Sequence, residues 1–275
     1  MDVTVIIPIH EYNEKIEQQL KAAITSVEKQ ENLDNLPSIL IVFVNKIESE
    51  IIKFKESLTE TKLNINFIKN EGKTDFQSQV NLGVEQVGTE YFSVLEFDDE
   101  YSSTYFKNVK EYIEAYPEID LFLPIIIEVN DKRQRLKLTN ETVWARQFVG
   151  ENGEVGYLNT RALNEYTDFK TCGAIFKKEE FIGAGKYKSN IKLTFQYEFL
   201  LRMLNNGSKI FTIPKIGYMH LAIREGSLFD SYAKTMSMKE RKFWFDTAKK
   251  EYNFFTDRPI DMSLLQLATA ESEKK

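Results

Sequence analysis

Four carboxylates crowd one short stretch of this chain. Glu96, Asp98, Asp99 and Glu100 close the segment Tyr91-Phe-Ser-Val-Leu-Glu-Phe-Asp-Asp-Glu100. The residues before them are apolar and β-prone, so the pattern is a buried strand that ends in acid. Neighbouring carboxylates repel one another, and the arrangement is favourable where a cation relieves it. Oxygen donors suit Mg²⁺ or Mn²⁺, ions commonly shared with substrate phosphates. In open α/β sheets, ligands bind beyond the carboxyl ends of the strands. The expectation is a metal–diphosphate site at the edge of a nucleotide-binding sheet. The bland alternative is a solvated acidic turn before a helix capped by Ser102 or Ser103, where negative charge is favourable.

Other side chains suit the same chemistry. Arg224 offers a forked guanidinium for phosphate oxygens and, with Ser227, could close over a diphosphate. Lys73 follows a glycine turn and could meet phosphate, though an ordinary surface lysine fits equally well. Trp144, among Arg146, Gln147 and Tyr157, offers an aromatic face on which a ring-shaped ligand could stack; packing under a loop is the equal alternative. Lys239, Arg241, Lys242, Lys249 and Lys250 make residues 236–252 the most basic stretch, either a solvated face or a contact for an acidic polymer.

The first half of the chain has the periodicity needed to position such a site. Val3–Ile9 and Ile39–Val44 read as strands buried on both faces. Asn64–Ile68 and Tyr91–Phe97 continue the series. Helical stripes lie between them: Ile16, Leu20, Ile24, Val27; then Ile51, Phe54, Leu58; then Phe76, Val80, Val84, Val87. Phe106, Val109, Ile113 and Tyr116 mark a fourth. Ile119–Val129 reads as one or two strands broken at Pro124. This rhythm predicts an α/β fold with a doubly wound, mostly parallel twisted sheet and helices on both faces. The second half is less regular. A short strand is expected over Thr171–Phe176, a helix over Thr194–Asn205 stopped by Asn206-Gly207, short strands at Ile210–Ile213 and Gly217–His220, and a helix over Met236–Tyr252. The division expected is a nucleotide-sugar-binding half over 1–130 and an acceptor-binding half over 131–275, within one domain.

Composition sets outer limits. The 275 residues are 42% hydrophobic, enough for a sizeable core. A net charge of −6 argues against a broad nucleic-acid-binding face. The single cysteine, Cys172, excludes an internal disulfide and fits a reducing compartment. Met1–His10 is short and lacks a basic start, unlike a signal peptide, and no apolar run is long enough to span a bilayer. These features predict a cytoplasmic protein, in the host cytoplasm if viral; the Lys-, Asn- and Ile-rich composition suits an AT-rich viral or bacterial genome.

Taken in order, the motifs resemble the family 2 glycosyltransferases of the GT-A fold. Val5-Ile-Ile-Pro-Ile-His-Glu-Tyr-Asn13 is similar to the family's opening strand and turn. Asn70-Glu-Gly72 with Asn81-Leu-Gly83 resembles its nucleotide-side loop. Leu95-Glu-Phe-Asp-Asp99 resembles its D-x-D motif. Cys172-Gly-Ala-Ile-Phe-Lys-Lys-Glu-Glu-Phe181, Tyr197-Glu-Phe-Leu-Leu-Arg202 and Tyr218–Ser227 resemble the acceptor strand, the E-D helix and the closing segment. The resemblance implies a metal-dependent, inverting transfer of a sugar from a nucleotide-sugar donor, weakly a UDP-sugar, to a hydroxyl of a glycan, a protein or a modified nucleic-acid base.

It also implies roles. Asp98 would hold the Mn²⁺ or Mg²⁺, with Asp99 beside it, His220 as a further ligand and Glu96 near the ribose; Asp98-x-Glu100 is the alternative pair. Pro8 and His10 would flank the base, and Asn45 would stand where the family often has a uracil-reading Asp. An inverting transferase also needs a carboxylate to take the acceptor proton. Aligning on Arg202 puts Phe195-Gln196 at the E-D pair, so Glu198 and then Asp168 are the candidate catalytic bases. Glu198 and Arg202 are also i,i+4 partners, a routine ion pair. The family's Arg before Asn81 is replaced by Val80. Two other readings stand against the transferase: a degenerate domain that binds nucleotides or glycans, and a nucleotidyltransferase. The acidic, glycine-free turn after the first strand speaks against the latter.

Overall fold

The computed structural model describes residues 2–141, 156–222, 224 and 234–252. Uninterrupted β-branched and apolar runs make the centre of its sheet. β1 (Val3–Ile9) is buried at every position and pairs in parallel with β2 (Ser38–Val44), Ile6 lying opposite Leu40. β3 (Ile65–Asn70) adds in parallel outside β2, and β4 (Tyr91–Val94) lies parallel on the other side of β1. The crossovers are α1 (Glu14–Glu28), α2 (Glu48–Ser57) and α3 (Phe76–Gln86). Two of them start on side-chain caps: Asn13 accepts from Ile16 N at 3.0 Å and Asp75 from Ser78 N at 2.9 Å. Alternation along β1 divides the core. Val5, Ile7 and Ile9 face α1 with Leu20 and Ile24, while Ile6 faces α3 with Val80 and Val84. The predicted α/β sheet with helices on both faces is thus present.

The chain next forms β5 (Glu100–Tyr101), α4 (Tyr105–Ala115), β6 (Leu121–Val129), β7 (Arg135–Thr139), β8 (Tyr157–Leu158), α5 (Thr160–Glu165), β9 (Ile175–Lys177), α6 (Lys178–Gly183), α7 (Phe195–Asn205), β10 (Ile210–Leu221) and α8 (Met238–Tyr252). The sheet order is β3-β2-β1-β4-β9-β6-β10-β5, with β7 on β6 and β8 on β10. β6 and β10 run parallel over a long register, and β9 is antiparallel to both β4 and β6.

Three local expectations need correction. The strand that begins at Tyr91 ends at Val94, not Phe97. Leu95 N still bonds Ile6 O at 3.0 Å, but the chain then turns, with Asp99 N on Glu96 O at 3.0 Å, so the acidic residues form a turn. Pro124 does not break β6. Its partner β10 shifts register between Ile213 and Ile216, beside Pro214, so that the single strand Ile210–Leu221 replaces the two short strands expected at Ile210–Ile213 and Gly217–His220. α4 is preceded by Thr104, which makes no side-chain cap, rather than by Ser102 or Ser103.

Candidate active site

The turn after β4 meets β10 at Tyr218 and Leu221, and an aromatic cluster holds it there. Tyr101 stacks on Tyr105 at 5.3 Å and meets Tyr218 edge-on at 5.4 Å. The Tyr218 hydroxyl accepts from Glu96 N at 3.2 Å, and the Tyr105 hydroxyl donates to Gly173 O at 2.7 Å. Gly173 has φ +66°, and a Cβ there would lie 2.2 Å from the Tyr218 ring, so glycine is required for backbone conformation and space alike. Cys172 and the Glu96 turn are thereby pressed against the same aromatic floor.

Two adjoining cavities open at this turn. The smaller, about 50 Å³, is lined by Pro8, His10, Phe76, Glu96, Asp98 and Arg224, among others. The larger, about 350 Å³, is lined by Asp168, Lys170, Cys172, Gln196 and Arg241, among others. Glu96, His220 and Ala222 line both and form the wall between them.

The acidic residues divide their work. Asp98, its side chain 8% exposed, lies 2.8 Å from Arg224 Nε, but that N–H is not directed at the oxygen, so the contact is one of charge. Arg224 also lies over the Phe97 ring at 4.9 Å and reaches Glu11 at 3.5 Å. Burial, then the neighbouring Asp99 and Glu96 carboxylates, pushes the Asp98 carboxyl up to about 7 against the pull of Arg224. Burial and Asp99 push Glu96 up as well. Asp99, 1% exposed, accepts from Leu221 N at 2.8 Å and faces His220 Nδ1 at 2.9 Å. Burial opposes an imidazolium at His220, but the Asp99 charge and hydrogen bond and the Glu96 charge outweigh it and push the group up to about 9. Glu100 is excluded from the set: it belongs to β5 and pairs with Arg133. Glu96 and Asp98, crowded, half-buried and mutually repelling, fit a divalent cation, with His220 at hand as a nitrogen donor.

A model of glycosyl transferase family 2 matches residues 4–180, well over half of the chain. The chain belongs to glycosyl transferase family 2. No curated protein is similar enough to match. Among solved structures it is similar to TarS 1-349 of S. aureus in complex with UDP-GlcNAc, with a TM-score of 0.70 and 14% identity over 94% of this chain and 68% of that one. It is also similar to TarS 1-349 in complex with UDP, with a TM-score of 0.61 and 13% identity over 90% and 81%. Against S. aureus TarS itself the TM-score is 0.61 at 15% identity, and the match spans 94% of this chain but 44% of that one. At such identities the likeness shows a shared fold.

Set on the family 2 framework, the expected site residues separate. Pro8, His10, Glu96, Asp98, His220 and Arg224 line the smaller cavity together. His10 lies 6.2 Å from the Phe97 ring, and burial lowers its basicity. Asn45 is exposed just past β2 and lines neither cavity. Lys73 is exposed before α3, 3.5 Å from Ser189, also outside both. Asp168 lines the larger cavity and pairs with Lys137. Trp144 and Ser227 lie outside the described residues. Glu198 needs the clearest correction. It is 1% exposed and lines neither cavity. Arg202 grips both of its oxygens at 2.9 Å, Lys188 reaches it at 2.9 Å and the Tyr252 hydroxyl at 2.7 Å. It is the ion-pair alternative, tying α7 to α8.

Sequence reasoning missed Lys170 and Glu11. Lys170 pairs with buried Glu128 on the wall of the larger cavity, and Glu11 braces Arg224. Both stand on loops without periodic signal, and their partners are distant in sequence.

Among the described residues no helix is long and apolar enough to cross a membrane.

Proposed function

We propose that this chain transfers a sugar, with inversion, from a UDP-sugar donor to an acceptor hydroxyl, aided by Mn²⁺ or Mg²⁺. The observation that carries the reading is the convergence of Glu96, Asp98, His220 and Arg224 on one cavity at the end of β4 in a family 2 fold. TarS, similar in fold, is seen with UDP-GlcNAc and with UDP, which favours uridine among donors.

The chemistry asks that charge building on the departing diphosphate be neutralised. A divalent cation held by Asp98 and Glu96, with His220 beside them, would supply Lewis acidity there. Arg224 supplies a fixed positive charge to the same oxygens. Pro8 and His10 bound the side of the cavity where the base would lie. At about 50 Å³ this cavity is far below the roughly 300 Å³ or more of a ligand pocket. Arg224, bridging Asp98 and Glu11, therefore has to swing aside as the donor enters.

The acceptor hydroxyl, of a glycan, a protein or a modified nucleic-acid base, would enter the larger cavity. Gln196 stands where the family's base is expected and cannot take a proton at neutral pH. Asp168 is the exposed carboxylate on that cavity and is our candidate general base. Asp168→Asn is expected to slow transfer to acceptor by about 10²–10⁴-fold while leaving donor affinity unchanged. Equal transfer rates in stopped assays would remove Asp168 from the mechanism.

The whole reading is tested by thermal shift and calorimetry with UDP-GlcNAc, UDP-glucose and GDP-mannose, with Mn²⁺ and with EDTA. A UDP-sugar present at about 100 times its Kd should stabilise the protein by about 2.7 kcal/mol, with metal only. Binding indifferent to EDTA, or no binding by any nucleotide sugar, would contradict it.

A further inference from the structure

The larger cavity meets the start of α7, and that start lacks the cap its sequence could supply. Leu193, Thr194, Gln196 and Tyr197 all line the cavity. Thr194 stands at the N-cap, but with ψ at 15° its side chain makes no cap bond. The residue is 2% exposed, and its Oγ1 is buried without a hydrogen-bond partner. A buried hydroxyl left unpaired is costly, and a ligand that supplies the missing bond removes that cost. The first amides of an 11-residue helix, together with its dipole, favour a negative group. Glu198, the acid of the first turn, is committed to Arg202 and Lys188 and lines neither cavity. Two cations border the same space. Buried Asn140 holds the Lys170 N–H at 2.9 Å and its C=O at 2.8 Å, and Glu128 accepts from the ammonium. An ammonium has three donors, so a bond to Glu128 does not exhaust it. Arg241 enters from α8. Gln196 Oε1 accepts from Thr171 N at 3.0 Å, which fixes the stretch of chain bearing Lys170 against the start of α7. Asp168 lines the cavity as well, its charge offset by Lys137.

We propose that the start of α7, with Thr194, Lys170 and Arg241, forms an oxyanion subsite in the larger cavity, which holds a carboxylate or phosphate carried by the acceptor. The Thr194 hydroxyl and the first-turn amides donate, Lys170 and Arg241 bring positive charge, and the fork of Arg241 suits two oxygens at once. Carboxylate and phosphate share this chemistry. A cavity of about 350 Å³ lies within the ordinary range of ligand pockets, roughly 300–1,000 Å³, and has room for a sugar beside its anion. Anchoring by charge away from the reacting bond decides which acceptor is held, so its weight falls on acceptor binding rather than on the transfer step. The inference rests on the reading of this cavity as the acceptor side, and it deepens that reading by naming the acceptor's class: one that bears an acidic group rather than a neutral one.

The test is calorimetry on the full-length chain, without donor, using glucose, glucuronate, glucose 6-phosphate and inorganic phosphate. Whichever of glucuronate and glucose 6-phosphate carries the fitting group should bind about tenfold or more tighter than glucose. Thr194→Val puts a methyl in place of the unpaired hydroxyl. It should weaken that binding roughly tenfold without lowering the melting temperature, a combination that a merely structural threonine would not give. Arg241→Gln should weaken it by about the same factor. Equal binding of all three sugars, or full affinity in either folded variant, would overturn the subsite as assigned. Inorganic phosphate bound as tightly as glucose 6-phosphate would make the occupant a free ion and overturn the assignment to the acceptor. Displacement of the anionic sugar by UDP would place the anion in the smaller cavity and overturn it too. UDP-GlcNAc binding is measured on the same parent samples. Its absence beside a positive anion result refutes the donor reading and leaves the subsite; its presence with no preference for an anion refutes the subsite and leaves the donor reading.

Discussion

Asp98→Asn should extinguish sugar transfer and at the same time make the metal-free protein more stable. The change keeps shape and removes one charge. Loss of a group that counters charge on the leaving diphosphate is expected to cost about 10²–10³-fold in turnover, roughly 3–4 kcal/mol of transition-state stabilisation. The stability effect has the opposite sign. An acid raised from 3.8 to about 7 on folding holds its proton more tightly in the folded state. It therefore weakens the fold as pH rises above 3.8, and the full penalty is reached above about 7. A rise of this size corresponds to a penalty on the order of 4 kcal/mol. At pH 8, without metal, the variant should melt roughly 5–10 °C higher than the parent. At pH 4 the difference should close. Melting curves at the two pH values, with turnover measured alongside, check both halves. A variant that melts lower at pH 8, or that turns over normally, would mean Asp98 is an ordinary structural carboxylate.

Glu198→Gln should do the reverse, unfolding the protein readily while sparing its chemistry. Glu198 is 1% exposed and answers three partners, Arg202, Lys188 and Tyr252. Removing one side of a buried ion cluster leaves the others uncompensated and costs about 3–5 kcal/mol. The melting temperature should fall by roughly 6–15 °C. Burial alone would raise this carboxyl, but Arg202, Lys188 and Tyr252 together hold it below its ordinary 4.5. Its stabilising contribution is thus present above pH 4.5 and lost as pH drops through the lower folded value, a dependence the glutamine variant should lack. Transfer per folded molecule at low temperature should stay within about threefold of the parent. A drop of 10²-fold or more in folded protein would restore Glu198 as a base.

What the residues revealed in advance follows a physical line. β1, β2 and α1 were legible because both-face burial and a 3.6-residue stripe are local patterns. The acidic turn at Glu96–Asp99 was legible because like charges at the end of an apolar run conflict with stability. Its division of labour was not. That Asp98 meets Arg224 while Asp99 meets His220 depends on β10 arriving from 121 or more residues away. β7 and β8 were invisible because short edge strands have too few residues to show a period. The prolines at 124 and 214 misled, since a register shift between two paired strands can absorb a missing N–H that neither strand reveals alone. Glu198 was ambiguous because a motif residue and an i,i+4 ion pair look the same in sequence; burial and Lys188 favour the ion pair.

The placement of β9 has a consequence for how the molecule is made. This three-residue strand is the link between β4 and β6, and it is synthesised more than forty residues after β6. Until it emerges from the ribosome, β4 and β6 each present a bare edge, the kind of template that invites wrong partners. A fragment ending near residue 130 should therefore aggregate rather than fold. Closure of the sheet becomes a late event of high contact order, slow by nature. The segments before and after residue 130 should accordingly behave as one cooperative unit, joined by a short strand that is made late.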